Sequence, residues 1–245
     1  MITAIDMIGT NLGSGTKTYN LNFCKHISNE KIQGKIYIFI TKEYLKFLDK
    51  NNNPNIFYIV KPSIFSNIFL RLFWMQLIFP FQLKKLKVDK LYSPMNIGPI
   101  FLRFFNIKFI LALHSNLPWV HFSKMPGNRF RNYFTKFFME TSIKACDKLI
   151  VDSFFSKKEI VKHLKLNEKK IFVIYLGIDE KFLDNNKNNH NLDNFEYKNY
   201  FLSVLSCVRY HNIIKMLQGF RIFKYETNTN HKFVLVLQIL DRIYF

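Results

Sequence analysis

The residues Gly9-Thr-Asn-Leu-Gly13-Ser14-Gly15-Thr-Lys17-Thr18 follow an apolar run, Ile2 to Ile8, and lead into a helical pattern. Glycines at such a turn let backbone N–H groups approach an anion, and a helix N-terminus adds about half a positive charge. The spacing matches neither standard phosphate fingerprint. No Gly-Lys-Ser/Thr is present, and Thr18 stands where a third glycine would complete GxGxxG. A phosphate cradle built on Gly13, Ser14 and Gly15 and a plain tight turn needing positive φ both remain open on spacing alone. A second candidate is His114, which ends the apolar run Phe109-Ile-Leu-Ala-Leu113 and opens the loop Ser115-Asn-Leu-Pro118-Trp119. In open parallel sheets ligands bind beyond the carboxyl ends of strands. An imidazole there can hydrogen-bond a hydroxyl or steady developing charge, or it can be an ordinary satisfied loop histidine. His121, His163 and His190 carry no comparable placement.

These positions require a frame of strands and helices. Ile2 to Ile8, Lys35 to Ile40, Ile56 to Val60, Lys90 to Tyr92, Lys108 to Leu113, Lys148 to Val151 and Ile171 to Tyr175 read as strands. Between them, Tyr19 to Ile27, Phe65 to Leu86 and Arg129 to Ala145 have helical spacing, and Ser156-Lys-Lys-Glu159 reads as a capping box with Ile160, Val161 and Leu164 inward. Strands alternating with helices specify βαβ units and a parallel sheet covered on both faces, the doubly wound α/β class. From Asp184 to Asn199 the composition turns to Asn, Lys, Asp and His, the mark of a linker. Beyond it Tyr200 to Ser206, Asn212 to Tyr225 and Phe233 to Gln238 form one further βαβ unit. Its roughly 50 residues make a small core that barely offsets ordering entropy. The expected division is 1–182, a linker over 183–199, and 200–245.

The 245 residues are nearly half hydrophobic and include 28 Phe, so a large buried core is assured and global disorder is excluded. Lys and Arg number 36 against 17 Asp and Glu, a net charge of +19 that implies an acidic partner such as a phosphorylated substrate, anionic lipid or nucleic acid. No nucleic-acid module is recognisable and the basic residues are dispersed, so nucleic acid is not expected as a partner. Cys24, Cys146 and Cys207 are widely spaced, with no metal-ligand spacing, so neither a zinc site nor a disulfide framework is expected and a reducing compartment fits best. The N-terminus has no basic stretch before its apolar run, unlike a signal peptide. The most apolar stretch, Ile64 to Phe81, carries Arg71 at its middle and ends on Pro80; a buried or membrane-surface helix suits it better than a spanning one.

The run Ala145-Cys-Asp-Lys-Leu-Ile-Val-Asp-Ser153-Phe-Phe-Ser156-Lys-Lys-Glu159-Ile, followed by Lys170-Ile-Phe-Val-Ile-Tyr-Leu-Gly177-Ile-Asp179, resembles family 4 glycosyltransferases. Gly13-Ser-Gly15-Thr-Lys-Thr-Tyr19 resembles that family's N-terminal glycine loop, and Asp89-Lys-Leu-Tyr-Ser93-Pro94 its fourth strand. His114 falls where the family carries a histidine, and Phe201-Leu-Ser-Val-Leu-Ser-Cys-Val-Arg209-Tyr-His211-Asn212 resembles the start of its nucleotide-binding domain. The resemblance implies a GT-B enzyme: two Rossmann-like domains, the first acceptor-side and whole, the second donor-side and here only begun. It implies transfer of a sugar from a nucleotide-diphosphate donor, with retention and without metal or other cofactor. The acceptor would be a lipid-linked or polysaccharide glycan, in lipopolysaccharide or other surface-glycan assembly at the cytoplasmic face of the inner membrane. It places His114 by the transferred sugar, Gly13, Ser14 and Gly15 by phosphate or acceptor, and Arg209 with His211 at the diphosphate.

Two departures from the family pattern bear on that expectation. His211 stands where the family usually has lysine, so Arg209 would supply the fixed charge and bidentate geometry. After Phe233-Val-Leu-Val-Leu237 the family expects a glycine turn and an acidic pair, where this chain has Gln238-Ile-Leu-Asp-Arg-Ile-Tyr-Phe245. A truncated or frameshifted reading frame is the expectation that follows. The rival reading is an inactive remnant that keeps only membrane and acceptor binding.

Overall fold

A computed structural model of the protein describes residues 1–9, 15–48, 53–178 and 199–238. They divide into two compact units, Met1–Val120 with Tyr133–Gly177, and His121–Asn132 with Ile178–Phe245. Residues 183–198 of the expected linker lie outside the described residues.

In chain order the first unit contains β1 (Ile2–Asp6), α1 (Gly15–Ser28), β2 (Lys35–Thr41), α2 (Lys42–Leu45), β3 (Ile56–Lys61), α3 (Ile68–Phe73), α4 (Phe79–Lys85), β4 (Lys90–Ser93), β5 (Lys108–Leu113) and α5 (Leu117–Val120). Then follow α6 (Arg129–Ala145), which belongs to this unit from Tyr133 on, β6 (Lys148–Val151), α7 (Phe154–Leu164) and β7 (Ile171–Val173). The seven strands form one sheet in the order β3-β2-β1-β4-β5-β6-β7, every neighbouring pair parallel. Both faces are buried, as a parallel sheet requires. Strand alternation sends Ala4, Phe39, Leu91, Leu111 and Leu149 to one face, packed with Leu72, Phe79, Met139 and Ile160 of the helices. Ile5, Ile36, Ile38 and Ile40 face the other way, against Cys24 of α1 and Tyr44 of α2.

The amino ends of the strands are tied by acidic side chains. The Ile2 N–H donates to Asp89 Oδ2 and the Phe109 N–H to Asp147 Oδ2, each at 2.6 Å. Both carboxylates precede a strand and satisfy a donor at the start of its neighbour, which aligns β1 with β4 and β5 with β6.

Two local expectations are corrected. The stretch from Phe65 to Leu86 is not one regular helix. A 3₁₀ turn, Ser63–Ser66, precedes α3; Asn67 caps α3 by accepting from the Phe69 and Leu70 N–H groups; and a π-helical segment, Trp74–Ile78, joins α3 to α4. Pro80 has no N–H to continue the α-helical ladder, which accounts for the widened turn before it. Gln76 in that segment bridges to the Gly98 carbonyl (3.2 Å) and the Ile100 N–H (2.8 Å). The second correction is α7, which opens at Ser153 rather than Ser156. Ser153 is extended and its hydroxyl accepts from the Ser156 N–H at 3.1 Å, so Ser156 lies within the first turn. Two serines three apart offer two caps, and the aromatic pair Phe154-Phe155 goes into the helix.

The second unit contains β8 (Tyr200–Ser206), α8 (Ile213–Thr227) and β9 (Lys232–Gln238), with β8 parallel to β9. This is the single βαβ crossover expected. Its small core is aromatic: Phe201 meets Phe220 and Phe223 edge-on, and Phe220 stacks on Phe233.

Candidate functional site

Because all seven strands run the same way, their carboxyl ends share one edge, and β1 and β5 deliver Gly9 and His114 there. Gly9, just past β1, has φ +84, and a Cβ on it would lie 2.7 Å from Arg71 Cδ. Glycine is therefore required at this position both by backbone conformation and by the close approach of α3. Gly13 and Ser14 lie outside the described residues. Gly15 begins α1, is exposed, and has open space where a side chain would be, so neither packing nor a positive φ demands glycine there.

His114 is held by three residues. Its backbone N–H donates to Asn96 Oδ1 at 2.7 Å. Asn96 adopts the left-handed conformation (φ 62) in the loop after β4, and its own N–H donates to the Ala112 carbonyl, so that loop folds back onto the end of β5. The imidazole Nδ1 lies 3.1 Å from both Asp152 carboxylate oxygens. The Tyr19 ring of α1 packs against the imidazole, centroids 4.5 Å apart. Tyr19 Oη is 2.6 Å from Tyr92 Oη of β4. Burial raises the Tyr19 phenol above its ordinary value, partly offset by the bond to Tyr92, and burial likewise raises that of Tyr92, so both hydroxyls stay neutral. Side-chain exposure is 13% for His114 and 22% for Asp152. The second ring nitrogen, Nε2, is buried and makes no hydrogen bond among the described residues.

Asp152, Tyr19, Tyr92 and Asn96 were not singled out from the sequence. For Asp152 a signal existed in principle. β5 pairs with β6 so that Leu113 faces Val151, and the next residue on each strand is His114 and Asp152. Given that register, the contact follows; strand neighbours and register are what the sequence leaves undetermined.

A second polar cluster lies beside Gly9. Asp6, at the end of β1, is fully buried, and its Oδ2 is 4.0 Å from Arg71 Nη2 on α3, too far for a hydrogen bond. Asp6 Oδ1 accepts from the Ile8 N–H at 3.1 Å, whereas Asp6 Oδ2 and Arg71 Nε and Nη2 are buried without partners among the described residues.

In the second unit, Arg209 and His211 occupy a 3₁₀ turn between β8 and α8. His211 Nδ1 lies 2.6 Å from the Ser206 carbonyl, and its ring meets Tyr210 edge-on. Two of the residues expected to meet diphosphate thus stand at the strand-to-helix turn of their own βαβ unit. Among the described residues no cluster of His, Cys, Asp or Glu has metal-binding geometry.

A profile of Glycosyltransferase Family 4 matches residues 13–182. With that match covering more than half of its length, the chain belongs to glycosyltransferase family 4, in keeping with the GT-B resemblance. No curated protein matches it significantly. Among solved structures, it is similar to the apo lipopolysaccharide outer core galactosyltransferase WaaB, with 16% identity, a TM-score of 0.48 and coverage of 84% of this chain and 53% of that one. A glycosyltransferase from Rickettsia africae ESF-5 is 20% identical, with a TM-score of 0.46 and coverage of 84% and 52%. The UDP-GlcNAc 2-epimerase from Methanocaldococcus jannaschii is 16% identical, with a TM-score of 0.48 and coverage of 95% and 65%. The chain spans about half the length of the two glycosyltransferases.

Proposed function

We propose that this chain forms the acceptor-side domain and the opening of the donor-side domain, 1–182 and 200–245, of a retaining glycosyltransferase. It takes a sugar from a nucleotide-diphosphate donor and passes it to a lipid-linked or polysaccharide acceptor in surface-glycan synthesis. The observation that carries the reading is the constrained imidazole of His114, at the strand edge that also bears Gly9, in a chain of family 4. Gly13, Ser14 and Gly15 approach phosphate or acceptor, His114 meets the sugar, and Arg209 with His211 stabilises the departing diphosphate. That last contribution is electrostatic, fixed charge aimed where negative charge develops. No metal or other cofactor takes part in this scheme.

The proposal includes peripheral contact with an anionic membrane at its cytoplasmic face. Phe69, Phe73, Leu77 and Phe81 recur every fourth residue along α3, the π-helical segment and α4, and are 53%, 59%, 50% and 63% exposed. The opposite side of the same helices, Leu72, Met75, Phe79 and Leu83, is buried in the core. A helix apolar on both sides has a second apolar environment to meet. Lys84, Lys85 and Arg103 flank the exposed stripe, with the Arg103 guanidinium 4.9 Å from the centre of the exposed Phe104 ring. No helix among the described residues is long and apolar enough to cross a membrane. An interfacial contact of aromatic and basic residues fits such a surface.

The test combines two readouts. Nucleoside-diphosphate release from UDP-, GDP- and CDP-sugars is followed with membrane lipid extract as acceptor source, for the wild type and His114→Ala; release that survives the substitution unchanged refutes the role of His114. Flotation with vesicles containing phosphatidylglycerol is followed for the wild type and for Phe73→Ser/Phe81→Ser, which is expected to lose binding. Flotation without any nucleotide release favours the rival, a chain that retains only membrane and acceptor binding.

A further inference from the structure

We infer that Asp152 is a positioning residue that holds His114 in the Nδ1–H tautomer, so that Nε2 presents a lone pair and recognises a hydroxyl rather than a phosphate oxygen. The inference rests on the sugar-transfer reading only for the identity of the hydroxyl, that of the sugar; the tautomer itself is a property of the free protein.

A neutral imidazole has one N–H and one acceptor nitrogen, and the hydrogen bond made by one nitrogen fixes the role of the other. An ionised carboxylate offers only acceptor sites. Asp152 places both its oxygens 3.1 Å from Nδ1, so that nitrogen carries the proton and Nε2 does not. Free histidine favours the opposite tautomer, so the preference is imposed by the fold. A hydrogen bond to a charged group is worth enough to bias the tautomers about tenfold or more. The other contacts keep the ring from escaping. Asn96 pins the backbone N–H of His114, and Tyr19, tied to Tyr92, closes one face of the imidazole. Their phenols remain protonated and supply no competing charge. What is left is Nε2, buried and without a partner among the described residues. A buried acceptor without a donor is costly, and the group that relieves it must bring a proton. A sugar hydroxyl does so; a phosphate oxygen at neutral pH offers only lone pairs and would repel it.

The experiment is two-bond 1H–15N correlation NMR of the full chain, uniformly 15N-labelled, with the His114 signals assigned by comparison with His114→Gln. At about pH 9, on the alkaline side of the imidazole range, the expected pattern is a pyrrole-type shift at Nδ1 and a pyridine-type shift at Nε2. Asp152→Ala and Asp152→Asn are expected to reduce the Nδ1–H form from about tenfold excess to a minority, while Asp152→Glu restores part of it. Adding inorganic pyrophosphate should leave Nε2 unprotonated. A pyrrole-type Nε2 in the wild type, a tautomer unchanged in both Asp152 variants, or protonation of Nε2 on adding pyrophosphate would each overturn the inference. None of these readouts depends on transfer, so loss of the sugar-transfer reading leaves the assignment of Asp152 to be judged on its own.

Discussion

Replacing Asp6 by Asn should make the first unit more stable at neutral pH, against the intuition that removing half of an ion pair is harmful. Asp6 is fully buried, and its Oδ2 lies 4.0 Å from Arg71 Nη2, with no hydrogen bond made by either atom among the described residues. Burial therefore raises the carboxyl from 3.8 to about 6, while the Arg71 charge and the Ile8 N–H pull it down without prevailing. A carboxyl raised in the folded state contributes stability that is full below the unfolded value of 3.8 and is lost as pH rises through about 6. Each tenfold change in proton affinity is worth about 1.4 kcal/mol, so the loss across that window is about 3 kcal/mol. Asn keeps the size of a protonated Asp and cannot ionise, which isolates this one group from all other titrations.

The two proteins should unfold with similar free energies at about pH 4, and Asp6→Asn should lead by about 3 kcal/mol at about pH 8. Urea unfolding followed by tryptophan fluorescence reads the relevant unit, because the chain's 2 tryptophans, Trp74 and Trp119, both lie in its core. A stability difference that does not change with pH, or one that turns against Asn as pH rises, would show that the attraction of Arg71 outweighs burial and would refute the reasoning.

Two further substitutions probe the supports of the site. Ser142 is fully buried, and its hydroxyl accepts from the Gly98 N–H at 3.1 Å, so Ser142→Ala orphans that donor and should cost about 1–3 kcal/mol in the same urea assay; a change within about 0.5 kcal/mol would mean that water or another acceptor replaces it. Gly9→Ala combines a φ of +84 with a Cβ 2.7–2.9 Å from the Arg71 side chain, so it should cost about 1–3 kcal/mol and, by pushing Arg71 away, raise the pH at which Asp6 titrates. An unchanged unfolding midpoint for Gly9→Ala would contradict the packing described beneath the turn.

Much of the frame was legible without coordinates. Apolar runs bounded by turn residues mark β1, β2, β4, β5 and β6 to within a residue or two, and their alternation with helical spacing requires parallel strands. Once the strands are parallel, Gly9 and His114 must share an edge, since each follows the carboxyl end of a strand. These are consequences of local hydrophobic period and chain direction, which neighbouring residues specify among themselves. The helix boundaries were less legible where two local signals competed: Ser153 and Ser156 both can cap, and it is Ser153 that is extended and accepts from the Ser156 N–H. The long apolar stretch likewise hid its π-helical segment, which reflects Pro80 together with the distant partners of Gln76, Gly98 and Ile100.

Tertiary structure alone decided the chemistry of the site. Asp152 is 38 residues from His114 and Tyr19 is 73 from Tyr92, and nothing local links either pair. They meet because β6 lies beside β5, with Leu113 opposite Val151, and because α1 returns across β4. The partnership of Asp6 with Arg71 arises the same way, from α3 crossing the end of β1. Sequence specifies which residues stand at strand ends; strand order and register, set by packing of the entire sheet, specify which of them touch.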